Sequence, residues 1–227
     1  MREYPRMVWT EQPVFFIDFE GGAASGVLEY GVATLVGGRV TETVTRLCAP
    51  AGRIRAEDTE VHGIRAEDLG GLEPFTSDWG LFAGLRERGP LAAHYAGAEN
   101  SLLKAAWPYP RVSPDFARPG GSVADWGPWI DSARIYSQLY PGIESGRLES
   151  LVAACGLQSE VDALASAHCP PGRRRYHAAL YDALAGALLL GSLARNAQLA
   201  SLTLTQLLAL STLDPRKRDA IVQRELF

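Results

Sequence analysis

Three blocks of strand character open the chain. Residues 14–19 form an apolar run broken only by Asp18, and residues 28–36 form a second, longer one. Gly37-Gly38 then gives a two-residue hairpin signal into residues 39–47. This pattern predicts an antiparallel three-stranded meander. A short helical stretch over 57–61 is stopped by His62-Gly63. Ser77 or Asp78 caps a helix running through Arg88, a short buried strand over 91–93 precedes His94, and residues 98–107 have helical spacing. Pro108, Pro110, Pro114, Pro119 and Pro128, with Gly120-Gly121, make 108–128 a long loop or insertion.

Residues 129–131 read as a further strand, and 134–140 and 148–155 as helices. The strongest helical pattern covers 178–195, where Leu180, Leu184, Ala187, Leu188 and Leu190 make an apolar face. Two amphipathic stretches follow, over 202–210 and 214–226, the second opened by the cap and first-turn pair Asp214-Pro215. Strands first, then alternating elements, then helices predict an α/β domain with a mixed sheet flanked by helices. The expected organisation is an N-terminal extension over 1–13, a domain over 14–195 and a C-terminal helical extension over 196–227.

Composition narrows this picture only a little. With 227 residues, 47% hydrophobic and 21% charged, the chain suits one well-buried domain. No apolar stretch is long enough to span a membrane, and Met1-Arg2-Glu3-Tyr4-Pro5-Arg6 lacks a signal core, so no membrane partner and a cytoplasmic location are expected. Cys48, Cys155 and Cys169 make no even disulfide set and no CxxC pair. The net charge of −4 does not exclude nucleic acid, because metal ions can neutralise a carboxylate cluster. Arg outnumbers Lys 20 to 2, which a general compositional bias explains.

The chemistry lies at the two ends of the domain. Asp18 and Glu20, two apart on a strand, point to one face while Phe19 points to the other. Two acids side by side repel unless a cation lies between them. About 160 residues later comes Tyr176-His177-Ala178-Ala179-Leu180-Tyr181-Asp182, a His and an Asp at H-x4-D spacing. Between them lies Ala93-His94-Tyr95-Ala96-Gly97-Ala98-Glu99.

Read together, these segments resemble the DEDDh group of 3′–5′ exonucleases, relatives of the polymerase III proofreading subunit, oligoribonuclease and RNase T. Val61-His62-Gly63-Ile64 and Trp129-Ile130-Asp131-Ser132 extend the resemblance over roughly 14–195. It implies a ribonuclease H-like fold and two Mg²⁺ or Mn²⁺ ions about 3.5–4 Å apart around the scissile phosphate. Under it Asp18 bridges both ions, Glu20 and Asp182 hold the one carrying the attacking water, and Glu99 supports the ion near the leaving oxygen. His177 takes the water's proton. Single-stranded DNA or RNA 3′ ends are the implied partners, and nucleoside 5′-monophosphates the product.

Two positions depart from the family pattern. Gly21-Gly22 replace the usual Thr-Thr beside the terminal nucleotide, and Glu99 replaces an Asp. Arg173-Arg174-Arg175, just before His177, read either as a phosphate clamp or as a solvated basic turn. His62 and His94 read as residues that fix turns. His168-Cys169 with Cys155 match no zinc spacing, and 206–210 reads as a packed amphipathic helix rather than a clamp-binding peptide. Two alternatives stay open: an enzyme that trims RNA or oligoribonucleotides, and a non-catalytic nucleic-acid-binding module with the same fold.

Overall fold

A computed structural model describes residues 7–118 and 120–223. The first strand, β1 (Val14–Gly22), pairs antiparallel with β2 (Gly26–Val36), which pairs antiparallel with β3 (Arg39–Leu47). Helix α1 (Ala56–His62) and α2 (Trp79–Arg88) follow, the first ended by Gly63 in the left-handed conformation. Then β4 (Leu91–Ala93), α3 (Gly97–Ala106), the two-residue strands β5 (Ser113–Pro114) and β6 (Ser122–Val123), and β7 (Trp129–Asp131) complete the strands. The remaining elements are α4 (Ser132–Leu139), α5 (Leu148–Ala154), α6 (Gln158–His168), α7 (Ala179–Ser192), α8 (Ala197–Ala200), α9 (Leu204–Leu210) and α10 (Pro215–Gln223).

The five-stranded sheet has the order β3-β2-β1-β4-β7, antiparallel on the meander side and parallel from β1 through β4 to β7. The expected mixed α/β architecture is therefore present. Alternation along β1 divides the core as the pattern required: Val14 and Phe16 enter the layer containing α4–α7, while Phe15, Ile17 and Phe19 enter an aromatic layer with Phe75, Phe82 and Trp126. Asp18 and Glu20 thus fall on the α7 side. Helix α7 lies so close to β2 that a Cβ on Gly31 would come within 2.3 Å of the Ala179 backbone. Only glycine permits that approach, and it brings the first turn of α7, with Asp182, to the sheet.

The proline-rich stretch is an ordered lobe. Buried Arg86 of α2 donates to the carbonyls of Pro114 (2.8 Å), Trp126 (3.1 Å) and Gly127 (2.6 Å), pinning both ends of the loop. The segments flanking 14–195 meet each other. Trp9 is buried, its indole donates to Leu199 O at 2.8 Å, and Val8 forms a bridge with Thr203. Helix α6 was not anticipated, because its apolar face is thin: only Val161 and Ala165 are buried. Residues 1–6, Pro119 and 224–227, which fall in the expected extensions, loop and last helix, lie outside the described residues.

Candidate active site

The site forms where β1, β2, α3 and α7 converge. Register between β1 and β2 shifts after Glu20, a bulge that lets the strand turn away. Gly21 takes φ 125° there, and a side chain would collide with Gly26 O at 2.2 Å, so this loop needs glycine for its backbone alone. Ser25 Oγ accepts from Gly22 N (3.1 Å), closing the turn. At the other end of the domain, His177 has φ 62°, and its main-chain N–H donates to Asp182 Oδ2 at 2.9 Å. The H-x4-D spacing is thus a closed local unit at the start of α7.

Glu20, exposed His177 and Asp182 each offer a ligand atom, all within 4.8 Å of one another. Asp18 stands among the acids, its carboxyl held well above the ordinary range, first by desolvation and then by the charges of Asp182, Glu20 and Glu99. Glu20 is pushed up to about 8 by burial and by Asp182 and Glu29, with Arg173 and Arg175 pulling the other way. Burial raises Asp182 to about 7 against the opposing His177 N–H. Glu99, buried on the first turn of α3, rises to about 8 through burial, opposed by a backbone hydrogen bond and reinforced by Asp131. Buried oxygens Glu99 Oε2 and Asp182 Oδ1 have no hydrogen-bond partner. A hard divalent cation satisfies such a set, since it offers the charge that these oxygens lack and prefers carboxylate ligands.

One residue went unflagged. Glu29, directly opposite Glu20 on β2, is buried and bonded to Arg173 through both carboxylate oxygens, with Nε to Oε1 at 3.0 Å. It also accepts from Ala179 N at 2.9 Å. Arg173 further donates to His62 O (2.6 Å) and His177 O (3.3 Å). Its guanidinium is turned inward as a strut, neither a solvated turn nor a free clamp. Arg174 and Arg175 are exposed, the latter also reaching His62 O at 3.2 Å. A buried Glu within a strand is the signal that sequence offered; its partner 144 residues away carried no local mark.

His62 Nδ1 accepts from Ile64 N at 3.0 Å, fixing the turn at Gly63 as expected. His94 bonds Ser132 Oγ (2.9 Å) and Gly146 O (2.8 Å), tying the end of β4 to α4 and the following loop. His168 meets Thr43, Cys169 is buried and Cys155 exposed. Gln206 closes a capping box with Thr203, and α9 packs on the domain through Leu207 and Leu208. Among the described residues no helix is long and apolar enough to cross a membrane.

Neither a family model nor a curated protein matches the chain. Solved structures do. The chain is similar to exonuclease X in complex with 5′-overhanging duplex DNA, at 20% identity and TM-score 0.62 over 88% of this chain and 99% of that one. It is similar to the nuclease domain of 3′hExo, a DEDDh family member bound to rAMP, at 14% identity and TM-score 0.58 over 82% and 92%. E. coli exonuclease I in complex with a dT13 oligonucleotide matches at 16% identity and TM-score 0.58 over 80% of this chain and 41% of that one. The fold, a mixed α/β fold, is therefore shared with these exonucleases.

Proposed function

We propose that the protein belongs to the DEDDh exonucleases and is a divalent-metal-dependent 3′–5′ exonuclease that releases nucleoside 5′-monophosphates from single-stranded ends. One observation carries this reading: two buried carboxylate oxygens, Glu99 Oε2 and Asp182 Oδ1, lack any donor within a cluster of four acids. Asp18, Glu20, Glu99 and Asp182 would hold the Mg²⁺ or Mn²⁺ ions. When bound, the ions neutralise the acids and stabilise charge developing on the transferred phosphate.

The chain's own residues supply the rest. His177 is exposed beside Glu20 and Asp182, within reach of a water held there, and takes that water's proton as it attacks phosphorus. Asp182 Oδ2 fixes the backbone of His177, and Arg173 holds its carbonyl, so the imidazole is delivered from a loop anchored at both sides. The fold shared with 3′-exonucleases supports the reaction class. Gly21 and Gly22 follow Glu20 at the end of β1, and on this reading the terminal nucleotide lies beside that strand end.

The test is incubation with 3′-labelled and 5′-labelled single-stranded DNA and RNA, in Mg²⁺, Mn²⁺ or EDTA. Stepwise loss of mononucleotides from the 3′ end with metal alone is expected, and the relative rates decide between DNA and RNA. Cleavage in EDTA, or release from the 5′ end, refutes the reading.

A further inference from the structure

Resting on the exonuclease reading, we infer that Tyr95, Arg134 and Arg218 form a track for the single strand that remains after each cleavage. It runs from the carboxylate cluster across α4 to α10. The direction follows from the chemistry. In-line displacement puts the attacking and leaving oxygens on opposite sides of phosphorus. His177 stands with Glu20 and Asp182, while Glu99 is not one of that trio and sits on the first turn of α3, just after the turn that carries Tyr95. The leaving 3′ oxygen belongs to the shortened strand, so that strand departs past Glu99.

What lies past Glu99 suits a polynucleotide. The turn between β4 and α3 places Tyr95 at φ 61°, a conformation costly for an aromatic residue. Asp131 holds it there by accepting from Tyr95 N (3.3 Å) and Ala96 N (3.2 Å), and 47% of the residue stays exposed. The Arg134 guanidinium lies 5.7 Å from the ring centre. One turn along α4 on the same face is Gln138, whose Oε1 accepts from Arg218 Nη1 of α10 at 3.2 Å. Among the described residues neither Arg134 nor Arg218 has a carboxylate within 4.0 Å, as is true of several other arginines such as Arg39 and Arg175; what sets these two apart is their link to Tyr95 and, through Gln138, to each other's helix. A half-exposed tyrosine with Arg134 over its ring, followed by Arg218, matches a chain of bases and phosphates, with stacking on the ring and guanidinium and forked contacts to the backbone.

Two measurements test the track. The first is equilibrium binding of a fluorescent 20-nucleotide single strand in EDTA, titrated at several salt concentrations. Arg134→Glu and Arg218→Glu are each expected to weaken binding at least about tenfold at low salt. Each should also reduce the slope of log K against log salt by about 0.7, the share of one single-strand phosphate. Tyr95→Ala is expected to weaken binding at least about fivefold with the slope unchanged, as stacking requires. Arg39→Glu, on the distant β2–β3 hairpin, controls for net charge and should bind as the parent does.

The second measurement compares kcat/KM in Mg²⁺ on the 20-mer and on the p-nitrophenyl ester of thymidine 5′-monophosphate, which has no strand on its leaving side. The arginine variants are expected to lose about tenfold on the 20-mer and less than threefold on the ester. Arg134→Gln and thermal melting guard against misfolding. Parental affinity and slope in both arginine variants, or a parent that does not bind the strand, overturns the track. Hydrolysis of neither substrate by the parent overturns the exonuclease reading instead, while the binding arm still decides the track.

Discussion

Glu20 and Glu29 are paired across β1 and β2, and both are buried. Being opposite one another, they share a face of the sheet. Yet their surroundings differ in kind. Glu29 has a guanidinium on both oxygens and the N–H of Ala179 besides, a complete set for a buried carboxylate. Glu20 has no such partner, and burial with like charges pushes it up to about 8. Burial of an acid therefore does not mark function; burial without a partner does. Glu29 has the partners that stabilise a buried acid, and under the proposed function Glu20 gets its partner from a cation.

Removing each charge in turn separates the two roles. Glu20→Gln keeps the shape and deletes a charge that the fold does not satisfy, so turnover should fall by at least about 10²–10³, the scale of losing one preorganised electrostatic group. Melting in EDTA at pH 8 should not drop. Glu29→Gln should do the reverse in stability, because it strands Arg173. Near-parental turnover in Glu20→Gln, or equal melting losses in the two variants, would break the comparison.

Glu99 is a second test of the same rule, on a helix instead of a strand. Its Oε2 is unpartnered and the group is raised to about 8, which places it with Glu20. Glu99→Gln should lower turnover by about 10² and raise the Mg²⁺ concentration needed. Glu99→Asp keeps the charge on a shorter arm and should retain more activity than Glu99→Gln. If Glu99 is only a first-turn acid, both variants turn over as the parent and lose about 0.3–1 kcal/mol at most. Turnover at saturating Mg²⁺ decides.

The partnered half of the comparison is probed at Arg173. Arg173→Met leaves Glu29 buried and unpaired, a change that costs about 3–5 kcal/mol in such pairs, toward the lower end here because 15% of the guanidinium side chain is exposed. Replacing both partners together, Glu29→Leu with Arg173→Met, should recover much of that loss. Urea unfolding of the singles and the double measures it. A double as unstable as the sum of the singles would show that the pair does not act as a unit.

How much of this could be read from the chain follows from the range of each interaction. Asp18 and Glu20, or His177 and Asp182, lie within one element or one turn, so spacing marked each pair and the family resemblance joined the pairs into one candidate site. The meander was legible because alternation and Gly37-Gly38 are local signals, and its strands differ from expectation only at their ends, such as Gly22 for β1 and Gly26 for β2. Glu29 and Arg173 were both in plain view, but their pairing joins β2 to a loop 144 residues on, and only the packing of α7 against Gly31 brings them together. The 108–128 stretch looked irregular for the same reason: Arg86, which orders it, belongs to a different element.

A further expected effect is a pH dependence of stability in the metal-free protein. Asp18, Glu20, Glu99 and Asp182 are all raised in the folded state, the last three to about 8, 8 and 7. Unfolded carboxyls titrate near 4. The folded protein therefore holds protons that the unfolded chain has released, and stability falls as pH rises from about 4 to about 8. The contribution is complete below the unfolded value and gone above the folded ones. Melting in EDTA should decline across that window, by about 2–4 °C for each kcal/mol in a chain of this size. Glu20→Gln removes one of the groups and should shallow the slope, whereas saturating Mg²⁺ should reverse it, because metal binds the deprotonated acids and stabilises only the folded form. Were melting in EDTA flat or rising from pH 5 to 8, the acids would have partners after all, and the contrast between Glu20 and Glu29 would lose its physical basis.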